Sequence, residues 1–213
     1  GKPPSIILDD LDEERTLTDA EIQENEDLIA EMKLKEEMLK KRAADNVAEQ
    51  QELVEEKEVV EEAKEQMAEL TEKVLEKRRK KLIKEDVAEI ADEIKDTSSE
   101  KEIVEILEKV AEGELTTQEA KALIKEKTTL SEKSVEKLIA KTKAIQEETE
   151  ELAKQLADAS PEEVAEILKE AGGVSKTDIL KLVVKKEQVD KMETAFLEKT
   201  MSQLYARLVR DRE

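Results

Sequence analysis

The chain has 213 residues with 57 carboxylates against 37 cations, and its net charge of −20 works against phosphate backbones and anionic membrane surfaces. Aromatic residues make up 1% and cysteine is absent, which excludes disulfides and zinc–thiolate centres and leaves a thin core of Leu, Ile, Val and Ala. Histidine is absent as well, so the usual His-activated nucleophiles cannot be assembled.

Residues 1–17 hold Pro3 and Pro4, then Ile6-Ile7-Leu8, then an acidic run from Asp9 to Glu14. The prolines block a helix start, and the stretch reads as a flexible acidic arm. Its end carries a calcium candidate. In an EF-hand loop, oxygen ligands fall at positions 1, 3, 5 and 12, which here are Asp10, Asp12, Glu14 and Glu21. Position 6 is Arg15, where the sharp turn needs glycine. The competing reading is a capping box of Thr18 and Glu21, with Leu17 stapled onto Ile22. That device recurs later in the chain without an acidic loop, so the capping reading is preferred. No other metal set and no cofactor motif is present.

Residues 18–96 contain no glycine or proline and are dominated by strong helix formers. They predict a long helical arm, either a coiled coil or a helical hairpin. Ile22, Ile29, Met32, Leu39 and Ala43 occupy heptad a and d positions. The phase shifts near Ala44–Glu52, a stutter or a bend. A second seam then runs through Leu53, Val60, Ala63, Met67, Leu70 and Val74. This seam must be covered, by the same chain or by a second copy. Antiparallel pairing is preferred, because it sets the basic Lys77–Lys81 beside the acidic Glu52–Glu62. An intramolecular hairpin, bent near Ala44–Glu52 or Lys77–Lys81, ranks ahead of a dimer. The basic run itself reads as a solvated face pairing with neighbouring Glu residues, ahead of an RNA or import-receptor site.

From residue 97 the pattern changes to short capped helices. Ser99, Thr116, Ser131, Ser160 and Ser175 are predicted N-caps, with Pro161 at the first helical position. Gly113 and Gly172-Gly173 stand where helices end. Residues 99–127 and 160–186 read as two copies of one helix–turn–helix unit, and residues 97–213 as a helical bundle built on that duplication. A final helix starts at Lys176 and carries both aromatics, Phe196 and Tyr205. They suit packing or the anchoring of a partner. Leu130-SEKSVEKLI and Val174-SKTDILKLV have the outline of a DNA-reading helix. They lack a basic face, because Glu132 and Glu136 flank one and Asp178 sits in the other.

The stretch KVLEKRRKKLIKEDVAEIADEIKDTSSEKEIVEILEKV, Lys73–Val110, resembles the coiled-coil part of the leucine-zipper–EF-hand transmembrane mitochondrial family. The resemblance implies a calcium-responsive regulatory coiled coil on the matrix side of a membrane protein. It covers under a fifth of the chain, rests on low-complexity sequence, and lacks the family's C-terminal EF-hand.

The expectation from the residues is therefore an all-α, non-catalytic scaffold that meets protein partners, or itself, through helices. No Gly-rich phosphate loop is present, and no apolar run approaches the ~18 residues of a membrane span. The partner-facing candidates are Leu53, Val60, Met67, Leu70, Val74, Phe196 and Tyr205. The chain opens Gly-Lys-Pro-Pro, which reads as a fragment of a longer protein. The absence of cysteine favours an intracellular setting.

Overall fold

In the computed structural model, residues 18–94 and 97–212 are described. Among them stand six α-helices and no strand, as the periodicity predicts. They are α1 (Asp19–Glu89), α2 (Thr97–Ala111), α3 (Thr117–Lys127), α4 (Glu132–Ala157), α5 (Pro161–Ala171) and α6 (Lys176–Arg212), with a 3-10 turn at Ala91–Glu93 after α1. The calcium candidates Asp10, Asp12 and Glu14 lie outside the described residues. Glu21 sits in the first turn of α1, and its backbone N–H donates to Thr18 Oγ1 at 3.2 Å. That is the backbone half of the capping box.

The chain divides into two compact units, Gly1–Glu55 and Glu56–Glu213. The second begins within α1. It takes in the distal part of α1, which runs through both expected bend regions without interruption. The anticipated hairpin is absent for a physical reason. The seam finds cover on other helices of its own chain, so no fold-back within the arm is needed.

Two apolar clusters build the second unit. One gathers Ile83 and Val87 of α1, Ile103, Leu107 and Val110 of α2, Ala120 and Ile124 of α3, and Val135 and Leu138 of α4. The other gathers Val74 and Leu75 of α1, Leu152 and Leu156 of α4, Val164 and Leu168 of α5, and Ile179 and Leu182 of α6. Helices α1 and α4 run through both clusters, and each cluster adds one short helix with its successor. On α4 the inward positions Val135, Leu138, Thr142, Ile145, Thr149, Leu152 and Leu156 are all buried. They alternate steps of three and four, the signature of a heptad seam. Thr142 lies within the first cluster's stretch of α4, and Thr149 falls between Ile145 of the first cluster and Leu152 of the second. Each hydroxyl donates to the carbonyl four residues back, Thr142 to Leu138 at 2.9 Å and Thr149 to Ile145 at 2.7 Å.

Helices α1 and α6 lie antiparallel along this unit. Cross-links join Lys77 to Asp178, Gln66 to Lys185, Lys64 to Glu193 and Glu56 to Lys199. The partner along this part of the arm is the last helix, not a second segment of the arm, and Lys77 meets Asp178 instead of Glu52–Glu62.

Four of the five predicted caps hold their helices. Thr116, Ser131, Ser160 and Ser175 each accept from the backbone N–H three residues on. Ser99 does not cap, because α2 already starts at Thr97. Helix α1 stops at Glu89 although no residue there disfavours helix. The chain leaves the helical path where Ile90 and Ile94 pack onto the same cluster as α2, so the stop is set by tertiary packing.

Candidate helix-docking surface

In the first unit, α1 is made of residues that favour helix on their own account. Its apolar side chains are nonetheless unburied, and every residue from Ile22 to Asp45 is exposed. Ile22, Ile29, Met32 and Leu39 are 43%, 53%, 63% and 63% exposed. At 100° per residue they share one stripe, with Leu28 and Ala43 beside it. Single exposed Leu or Ile residues are ordinary on a protein surface. An apolar stripe over three heptads, interrupted at Asn25 and Glu36, is the pattern of a helix that meets another helix. Around it the charges are segregated. Residues 19–31 carry carboxylates and no cation, whereas Lys33, Lys35, Lys40, Lys41 and Arg42 follow among Glu36 and Glu37. Lys35–Glu31 and Lys40–Glu36 form exposed pairs along the helix at 3.6 and 3.4 Å, of the kind that adds little to stability.

The partner-facing residues expected from the second seam are placed differently. Val60 and Val74 are buried, and Met67 and Leu70 pack partly buried against the second cluster. These four are core or core margin in this chain. Leu53 and Phe196 are half-buried, and Tyr205 is exposed together with Leu204 and Leu208 near the end of α6. The structure does not bring the seven candidates together into one site. Periodicity shows that a stripe must be covered and not which segment covers it, which is why the two seams of α1 look alike in sequence.

A groove of about 500 Å³ remains between α1, α4 and α6. Met67, Leu75, Leu156 and Val189 line it, and the Lys64–Glu193 ion pair sits at its wall. The hydrogen bond that the Lys64 ammonium donates to Glu193 holds its pKa above the ordinary value.

Reading the basic run as a solvated face misses Arg78, which is 2% exposed. Its Nε donates to Gly172 O at 2.8 Å, and Nη2 donates to Ala171 O at 3.2 Å and to Glu148 Oε1 at 2.8 Å. The guanidinium thus closes the C-terminus of α5, where carbonyls lack partners and the helix dipole is negative. Gly173 makes this approach possible. Its φ is +75°, and a Cβ there would lie 3.2 Å from Arg78 Cγ. The sequence signal was the Gly172-Gly173 pair, which marks close backbone approach without naming the partner. Beside it Lys77 donates to Asp178 at 3.2 Å. That bond, helped by one from Ser175, holds the Asp178 carboxyl below its ordinary pKa.

Among the described residues no group of His, Cys, Asp or Glu could hold a metal ion, and no helix is long and apolar enough to cross a membrane. The candidate reading helices carry their acids in salt bridges. Glu132 pairs with Lys121 and Lys125, and Glu136 with Lys121. No protein-family model, curated protein or solved structure matches the chain.

Proposed function

We propose that this protein is a non-catalytic interaction module that works through helix–helix contact, with the N-terminal part of α1 as its contact element. The supporting observation is the exposed apolar stripe from Ile22 to Ala43, while the seam from Val60 to Val74 is used up inside the chain. Helices α2–α3 and α5–α6 each pair a short helix with a capped successor on its own apolar cluster, which supports reading them as a duplicated unit that anchors α1.

Affinity capture tests this with full-length bait. The wild type is expected to retain protein, whether another copy or another chain, and Ile29→Glu with Leu39→Glu to lose it. Equal capture by the two baits would overturn the reading. Calorimetry with calcium and mobility shifts with duplex and single-stranded nucleic acid address the competing functions. Calcium binding that disappears in Asp10→Ala with Glu21→Ala would replace the scaffold by a calcium-responsive coiled coil.

A further inference from the structure

The stripe on α1 is complementary to itself when one copy is reversed. We infer that its partner is a second copy of this chain, paired antiparallel over residues 19–43. This rests on the reading of α1 as a contact element and supplies the partner.

With Ile22 and Ile29 as a positions and Asn25, Met32 and Leu39 as d positions, an antiparallel pair sets each a against a d of the other copy. In one register Ile22 faces Leu39 and Ile29 faces Met32, and the two-fold repeats both layers. Asn25 meets Glu36 in the layers between. A side-chain amide opposite a carboxylate can hydrogen-bond, and such a polar layer fixes register at some cost in stability.

The flanking charges choose the orientation. Asp19, Glu26, Lys33 and Lys40 occupy e positions, and Glu21, Lys35 and Arg42 occupy g. In the antiparallel register Asp19 comes beside Lys40, Glu26 beside Lys33 and Glu21 beside Arg42 of the second copy. Every charged pair is attractive. A parallel pair matches g with the following e, giving Glu21 with Glu26 and Lys35 with Lys40, both repulsive. Flanking charges of this kind set orientation and partner choice in coiled coils.

Among the described residues nothing of this chain closes over the stripe. Residues 22 and 39 belong to one uninterrupted helix and cannot meet face to face except between copies, and no residue from 22 to 45 is covered. The long-range repulsion of two chains of charge −20 is eased here, because the acidic half of one stripe lies along the basic half of the other.

Sedimentation equilibrium of the full chain over a concentration series is the test, with three forms compared. The wild type should show a reversible monomer–dimer equilibrium. Glu26→Lys replaces two attractive pairs by two repulsive ones and should weaken the dimer about tenfold. Adding Lys33→Glu to it should restore the affinity. Both positions are exposed, so the thermal unfolding of the bundle serves as a control and should not move. A wild type that stays monomeric throughout overturns the inference. Tighter association of Glu26→Lys also overturns it, since that substitution relieves the Glu21–Glu26 repulsion of a parallel pair. Capture that depends on the stripe, from a protein that sediments as a monomer, would sink the self-pairing and leave the interaction module standing.

Discussion

Arg78 carries an unusual share of the second unit's order for a residue drawn from a run of five cations. It satisfies two carbonyls at the end of α5 and reaches Glu148 of α4. Arg78→Met leaves those carbonyls without their charged donor and is expected to cost at least about 1.5–3 kcal/mol, read as a lower urea midpoint with an unchanged slope. Arg78→Lys should not rescue it, because an ammonium cannot fork to both oxygens. Glu148 is 48% exposed, so Glu148→Gln should cost under about 1 kcal/mol. Gly173→Ala forces a side chain into left-handed backbone against the Arg78 stem, with an expected loss of about 1–2 kcal/mol. Asp178 gives a pH signature. Its pKa is lowered in the fold by Lys77 and Ser175, so its contribution is present above the unfolded value and lost as pH falls through the folded one. Thermal midpoints of Asp178→Asn should therefore lie below wild type at pH ~7 and converge with it by pH ~2. Asp86 acts in the opposite sense, since burial raises its pKa against the pull of Lys141.

At the scale of elements, the caps were legible and the packing was not. Ser160 with Pro161 and Glu163 announces a helix start in a few residues, because capping is local chemistry. The expected penalty for Ser160→Ala is about 1 kcal/mol, measurable by denaturant titration. The end of α1 could not be read, because Ala91, Asp92 and Glu93 carry no stop signal and the break follows from where Ile90 and Ile94 dock. For the same reason the two seams of α1 were indistinguishable. Val60 and Val74 share the heptad spacing of Ile22 and Ile29, yet one pair is core and the other is surface. Arg78 was hidden more deeply still. Nothing in KRRKK marks the second cation as buried until α5 is placed beside it. Helix α4 offers a further check. Replacing Thr149 by Val would join the two clusters along α4, and replacing Thr142 by Val would extend the first. The hydroxyls bond only within their own helix, so the expected change is neutral to slightly stabilising.

For the whole molecule, the division at Glu55 and Glu56 predicts two classes of protection. Clusters that share α1 and α4 should open together as one cooperative unit. Amide hydrogen exchange should therefore be slow and uniform through Val74–Val87 and Val135–Leu156. Residues 22–45 are all exposed, so their helix is held mainly by propensity and pairs along one turn, and their amides should exchange fastest within α1. Raising the protein concentration should slow exchange in residues 22–45 alone. Uniform protection along all of α1 at high dilution would contradict this division.

The placement of Tyr205 has an optical consequence. It is the only tyrosine, and there is no tryptophan, so emission excited in the tyrosine band, where Phe196 does not absorb, comes from a single ring that is 71% exposed near the end of α6. The apolar clusters contribute no fluorophore. Emission would respond to fraying or occlusion at that helix end and stay silent while the interior unfolds. A melting curve followed by fluorescence and one followed by ellipticity are then expected to disagree, even if the core unfolds in one step.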